Sequence, residues 1–262
     1  MHRRQFIRRA AAAGALGTLA VGTATAAEPP SRPDHLENVG DDLDELRKYQ
    51  PSIIASREAR QLLVGCYGWY ADSSEYPDLR AYYYWFKYPT QQSGLTSLIP
   101  FLSGPDAHFS DHEPYVCAVD KSTGEVVRTL QSGYHHFVLD LPESDLELRT
   151  QHGDGPTHPK LRVVDPWHHF RNGRGASRDG VLPDTISGAE FGSWLDKRDS
   201  WYKNDVFKKT SKTAVEDPFS LIDSRDTWWK DGTWDAWAAR NIWIPLGLRG
   251  ADESDTLRVE DS

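Results

Sequence analysis

Short aromatic and apolar runs, each closed by a proline or a turn, follow one another through the middle of the chain and leave little room for long helices. Arg60–Tyr70 (RQLLVGCYGWY) and Leu79–Tyr88 (LRAYYYWFKY) are punctuated by Pro77 and Pro89, and both read as strands. Tyr115–Asp120 ends at the turn Lys121-Ser122-Thr123-Gly124, and Glu125–Gln131 returns as its hairpin partner. Tyr134–Leu141 and Lys160–Val164 add two strands, divided by a polar loop around Gly153-Asp154-Gly155-Pro156. The helical crossovers that parallel strands need are missing between these runs, so the expected fold is mainly β, an antiparallel β-sandwich with peripheral α-helices. One such helix follows Ser187-Gly188-Ala189-Glu190, a capping box, with Phe191, Trp194, Leu195, Arg198 and Trp201 on one stripe. Ile242–Leu248 reads as a closing strand or an extended segment running past Pro245.

The ends of the chain have a different character. His2-Arg3-Arg4-Gln5-Phe6-Ile7-Arg8 is a twin-arginine pattern, Ala10–Val21 is a short apolar region and Ala24-Thr25-Ala26 is a small-residue cleavage site. Residues 1–26 therefore read as a twin-arginine export signal, and the expected destination is extracellular or at the cell envelope. Residues 27–50, with Pro29, Pro30 and Pro33, read as a flexible mature N-terminus holding one short, exposed helical piece between Asp41 and Lys48. A single sandwich domain is expected over 51–249, and an acidic disordered tail over 250–262. No run approaches the ~20 apolar residues of a transmembrane span.

A formal charge of -9 argues against a nucleic-acid partner, which calls for clustered Lys and Arg, and favours the collection of cations. Cys66 and Cys117 are the two cysteines. On separate strands of an exported protein they are either a disulfide pair or two buried thiols. The tryptophans at Trp228, Trp229, Trp234, Trp237 and Trp243 either pack in a core or present aromatic platforms to sugars or lipid headgroups.

Chemistry concentrates in Asp106–Asp120 (DAHFSDHEPYVCAVD), where His108, Asp111, His112 and Glu113 fall within six residues and lead into an apolar run. On a strand, Asp111 and Glu113 share one face and His112 points to the other. Two converging carboxylates with His108 arriving from the preceding loop form a partial shell for a divalent cation. Their oxygen-rich character suits Ca²⁺, Mg²⁺ or Mn²⁺. Polar residues at a strand entrance are the plainer reading of the same pattern. The chain has no Gly-x-Ser-x-Gly elbow, P-loop or HExxH.

Tyr82–Pro89 (YYYWFKYP), then His108-Phe109-Ser110-Asp111-His112-Glu113 and the strand Tyr115–Asp120, together resemble the core of the necrosis- and ethylene-inducing-peptide-like (NPP1-like) proteins. There an aromatic strand ending in Pro precedes GHRHDWE and a valine-rich strand. The H-x-x-D-x-E correspondence implies that His108, Asp111 and Glu113 hold a divalent cation directly or through water. His112 stands where the family has Trp, and Pro89-Thr90-Gln91 lacks the further Asp that the family carries after its Pro. Ser132-Gly133-Tyr134-His135-His136-Phe137 resembles the family's next strand, with His135 as the match, and Thr157–Phe170 resembles its His-Pro-Lys strand, which brings in His168. Yeast vacuolar-sorting-like relatives share the H-x-x-D-x-E pattern. The resemblance implies a β-sandwich with peripheral helices and a cation cleft to which His135, His168 and His112 are candidate additions.

The resulting expectation is an exported divalent-cation-binding β-sandwich that binds a glycan or lipid headgroup at a His/Asp/Glu cleft. Two other functions fit the same residues. In a metal-dependent hydrolase of the envelope or secreted matrix, His135 or His168 would act as base on cation-bound water. In a structural envelope protein, the carboxylates would tie a loop to a strand.

Overall fold

Strand β4 (Leu79–Thr90) explains why its sequence is aromatic without interruption: both of its faces are buried. The computed structural model describes residues 32–90, 109–150, 155–183, 194–203, 207, 210–223, 225–230 and 232–247, with backbone alone at 90, 109, 110, 194–196, 202 and 203. Within this range β4 lies between β3 (Gly65–Ser73) and β5 (Phe109–Asp120). The antiparallel sheet is completed by β1 (Leu36–Gly40) outside β3, and by β6 (Val126–Ser132) and β7 (Val138–Pro142) outside β5. The order β1-β3-β4-β5-β6-β7 is a meander of hairpins with β1 added at one edge.

The two-residue period of β4 divides its side chains between two cores. Tyr82, Tyr84, Phe86 and Tyr88 face a smaller sheet, where they pack with Cys66, Tyr115, Cys117, Leu161 and Phe170. That sheet consists of β2 (Ser52–Ile54), β8 (Leu148–Thr150), β9 (Pro156–Val163) and β10 (Phe170–Asn172). All of its pairings are antiparallel except β2 with β9, which run parallel. On the opposite face Ala81, Tyr83 and Trp85 pack under a helical cover from the C-terminal third. The cover contains α3 (Trp194–Lys203) and α4 (Lys212–Glu216), and it is pinned at Tyr83. The Tyr83 hydroxyl donates to the Ala214 carbonyl at 2.6 Å and accepts from Trp228 Nε1 at 2.9 Å. The fold is thus the expected β-sandwich with peripheral helices.

The 121–124 turn forms as its sequence dictates. Asp120 Oδ1 accepts from the Ser122 and Thr123 amides, and Gly124 closes the loop at φ +73°, a left-handed backbone that suits glycine.

Two expectations are corrected, and one open alternative is decided. The 27–50 segment is ordered structure from Leu36 onward. Strand β1 pairs with β3, and α1 (Leu43–Tyr49), capped by Asp42, inserts Leu46 and Tyr49 into the inner core. The helical piece expected there is real, but its apolar side is buried. The segment expected as a closing strand over Ile242–Leu248 is helical and turn as far as it is described, to Gly247: α5 (Trp234–Ala238) continues into a π-helical turn over Ala239–Trp243, and Trp243 and Ile244 pack against a small core of Phe137 and Trp229. Finally, Cys66 and Cys117 are free thiols. Cys66 is paired with Phe86 and Cys117 with Tyr82, so the cysteines lie on strands either side of β4 and four residues apart along it. That offset separates their Cα atoms by about 16 Å on strand geometry, well beyond the reach of a disulfide.

Candidate functional site

Strand β5 enters the six-stranded sheet opposite the end of β4, in the register Tyr88↔Asp111 and Phe86↔Glu113. This pairing sends both carboxylates to the inner face, where Asp111 is 0% and Glu113 1% exposed. His112 points outward, its ring 4.3 Å from Trp201 and 5.9 Å from Phe207. It belongs to the core beneath the helical cover and not to the cleft, as the alternation of a strand requires.

Two irregular segments bring histidines to the carboxylates. The turn between β9 and β10 carries His168, whose amide donates to the Val164 carbonyl and whose backbone is left-handed at φ 64°. Its ring stacks flat on Tyr88 at 4.0 Å, and its Nδ1 donates to Asp111 Oδ2 at 3.1 Å. The second segment, a 3-10 turn over Tyr134–His136, places His135 at φ 49° and His136 at φ 60°. Two adjacent non-glycine residues in the left-handed region cost on the order of 1–3 kcal/mol each and persist where surrounding contacts impose them. Here the His136 carbonyl accepts from the Trp228 amide at 3.0 Å and from Thr227 Oγ1 at 3.2 Å. The imidazole of His136 is thereby directed inward, with Nδ1 3.2 Å from Ser132 Oγ and 3.8 Å from Glu113 Oε2.

Asp111, Glu113 and His136 each offer a ligand atom within 4.8 Å of the others. Asp111 Oδ1 and Glu113 Oε2 are buried without a hydrogen-bond partner. Burial, reinforced by the adjacent Asp111 charge, raises the Glu113 carboxyl well above the usual range. Burial and the same two carboxylates push the Tyr88 phenol far up. His169, next to His168 but fully enclosed, is pushed down to about 3 by burial and by its neighbour, and stays neutral. Two buried acidic groups with unpaired oxygens are costly alone and are stabilised by a cation. Their oxygens and one imidazole nitrogen form a donor set suited to a hard divalent ion.

Asp111 and Glu113 are therefore brought together as their spacing implies, and His168 joins them through Asp111. His108 lies outside the described residues. His135 is replaced at the carboxylates by His136, because the expected strand begins only at Val138 and the preceding turn reverses which of the two histidines faces inward. His135 stacks instead on Trp243 at 4.3 Å. Trp243 meets Trp234 edge-on at 6.1 Å, and Trp234 is 60% exposed. Of the five tryptophans in that segment, Trp228 and Trp229 are core residues, whereas Trp234 and Trp237 face solvent. Sequence reasoning singled out the Ser132–Phe137 block but chose His135 over His136, the histidine that stands beside Ser132 and Glu113. The spacing of Ser132 and His136 was the available signal, since residues four apart across a tight turn face each other where strand residues four apart do not.

No protein-family model matches the chain, and no curated protein does. Among solved structures it is similar to Necrosis and Ethylene inducing Protein 2 from the causal agent of cocoa's Witches Broom disease. The identity is 14% and the TM-score 0.41, over 72% of this chain and 94% of that one. It is also similar to NLPPya in complex with mannosamine, at 14% identity and TM-score 0.39 over 74% of this chain and 91% of that one. A structure described as a toxin fold for microbial attack and plant defense gives 14% identity and TM-score 0.39 over 75% and 92%. The likeness is a distant one of fold, to structures of the family that the H-x-x-D-x-E pattern resembles.

Proposed function

We propose that this protein is an exported, cation-dependent binder that recognises a glycan or lipid headgroup through a divalent ion held by Asp111, Glu113 and His136. The observation that carries the reading is the pair of buried carboxylates, each with an oxygen that no hydrogen bond satisfies. A bound Ca²⁺, Mg²⁺ or Mn²⁺ would supply the positive charge to which hydroxyl or anionic oxygens of a ligand are attracted. The chain's own residues give the site its shape. Strand pairing fixes Asp111 and Glu113, the Thr227–Trp228 contacts hold the His136 turn, and Tyr88 backs His168. One residue from His136, the ring of His135 continues through Trp243 to the exposed Trp234, an aromatic ridge suited to the apolar face of a ring-shaped ligand. Among the described residues no helix is long and apolar enough to cross a membrane.

The test is calorimetric titration of the chelator-treated mature domain with Ca²⁺, Mg²⁺ and Mn²⁺, beside Asp111→Ala/Glu113→Ala and His108→Ala variants. Saturable binding lost in the double variant, followed by chelator-sensitive retention on glycan or lipid arrays, is the expected result. Weakened binding in His108→Ala would add that residue to the shell. Absence of saturable binding in the unsubstituted protein, or equal binding in the double variant, would overturn the proposal.

A further inference from the structure

We infer that the protein carries a second ligand site, independent of the cation cleft, in the groove between the β2–β9 pair and the loop at 176–178, and that it takes a small hydroxylated organic oxyanion. The groove encloses about 420 Å³, which exceeds a bare inorganic anion. Its polar lining is dominated by Arg162 and Arg178. Both side chains are solvent-accessible, and neither guanidinium has a hydrogen-bond or ion-pair partner among the described residues.

Arg32 and Arg57 likewise make no hydrogen bond or ion pair with a described residue, but only Arg162 and Arg178 share this concavity. With 39 acidic against 30 basic residues, carboxylates are plentiful, and several arginines elsewhere use them. Arg80 pairs with Asp72 and Glu45, Arg128 with Asp140 and Asp223, and Arg198 with Glu216. Two unpaired guanidiniums around one concavity leave their planar donor forks free for a carboxylate or for a phosphate or sulfate ester.

The wall that carries Arg178 is fixed in advance. The Asp179 carbonyl accepts from Ser52 Oγ at 2.5 Å, the Gly180 carbonyl accepts from Arg149 at 3.1 Å, and Val181 exchanges two backbone hydrogen bonds with Ile53. Arg162 lies opposite Ile54 in the parallel pair. At the groove, Ser56 already accepts the Ala59 amide with its Oγ, which leaves its hydroxyl proton to donate. Ile54, Ala55, Val163 and Ala176 supply apolar walls for the body of a ligand, and Asp165 supplies an acceptor for a ligand hydroxyl. An oxyanion, a compact body and a hydroxyl together describe a sugar acid or a sugar ester of phosphate or sulfate.

The experiment is a titration of the isotope-labelled full chain, followed by amide shifts, with galacturonate and with glucose 6-phosphate. Galactose, glucose and inorganic phosphate serve as controls, and every arm is run with and without a chelator. The expected result is saturable shifts confined to 54–56, 162–165 and 176–178 for one or both charged sugars, unaffected by chelation. Galacturonate alone would identify carboxylates as the class, and glucose 6-phosphate alone would identify esters. Arg162→Gln/Arg178→Gln should weaken binding by about tenfold or more with an unchanged melting temperature. Equal binding of the uncharged sugars, equal binding of inorganic phosphate, undiminished binding by the double variant, or no saturable shift with either charged sugar would each overturn the inference. Failure of the cation reading would leave this site untouched, because no arm requires the ion.

Discussion

Asp111 and Glu113 occupy adjacent inward positions of one strand, and both are almost completely withdrawn from water. Without a cation the pair works against the fold, since burial and mutual repulsion oppose ionisation of Glu113. Asp111→Asn removes one charge while its amide oxygen can still accept from His168. Where pH is high enough to ionise both carboxylates, the metal-free variant should therefore be more stable than the unsubstituted protein, by ~1 kcal/mol, because one uncompensated buried charge is gone. The same variant should gain no melting temperature from added Ca²⁺ or Mg²⁺, and thermal melts with and without each ion check both halves. A second consequence concerns protons. Burial and the adjacent Asp111 charge raise the Glu113 carboxyl, so protons compete with an ion for it. Apparent affinity should strengthen as pH rises toward the Glu113 pKa and level off above it. Calorimetry in two buffers of different ionisation enthalpy should show a proton released on binding. The two carboxylates were legible from their i, i+2 spacing, because a strand's period is fixed. The histidine beside them was not, because His135 and His136 sit in a turn whose left-handed backbone obeys no period.

Among the elements, the strands and the 121–124 hairpin follow directly from local pattern, whereas the helical cover depends on contacts between segments distant in sequence. The link from α3 to α4 is one such contact: Arg198 donates to Glu216 Oε2 at 2.9 Å while Glu216 Oε1 is buried without a partner. Burial outweighs the guanidinium and raises the Glu216 carboxyl to about 7. The folded protein thus binds a proton there that the unfolded chain, at its ordinary value of 4.5, has already lost. The resulting stabilisation is fully present below about pH 4.5 and is lost as pH rises through about 7, an effect of up to ~3 kcal/mol from this group alone. Glu216→Gln cannot titrate. Urea unfolding between about pH 5 and pH 8 should show a shallower pH dependence in that variant than in the unsubstituted protein, and parallel curves would refute this origin. Segment α1 teaches the same point about legibility. Its Asp42 cap and its acidic first turn are local and readable, but the burial of Leu46 and Tyr49 depends on a core assembled from strands far along the chain.

Across the whole molecule, the arrangement of sheets decides the chemistry of the two cysteines. Oxidising compartments favour disulfides and reducing ones do not, and the sequence alone left a bridge and two thiols equally open. The meander settles the matter by placing β4 between β3 and β5, so that Cys66 and Cys117 both enter the inner core without approaching each other. Both are fully buried, and burial pushes the Cys117 thiol well above its ordinary value, so it is neither accessible nor ionised at neutral pH. The folded state should therefore protect its thiols by structure. Native protein is expected to react with no equivalent of a thiol-specific chromogenic reagent within the time that denatured protein reacts with two. A reducing agent should leave the melting temperature unchanged, because no covalent link restricts the unfolded chain. A lowered melting temperature on reduction, or two equivalents missing from the denatured protein, would show that the cysteines are bridged and that β3, β4 and β5 are not in the order given. The same measurement thus tests the strand order that sets Tyr88 opposite Asp111 and Phe86 opposite Glu113, and with it the convergence of the two carboxylates.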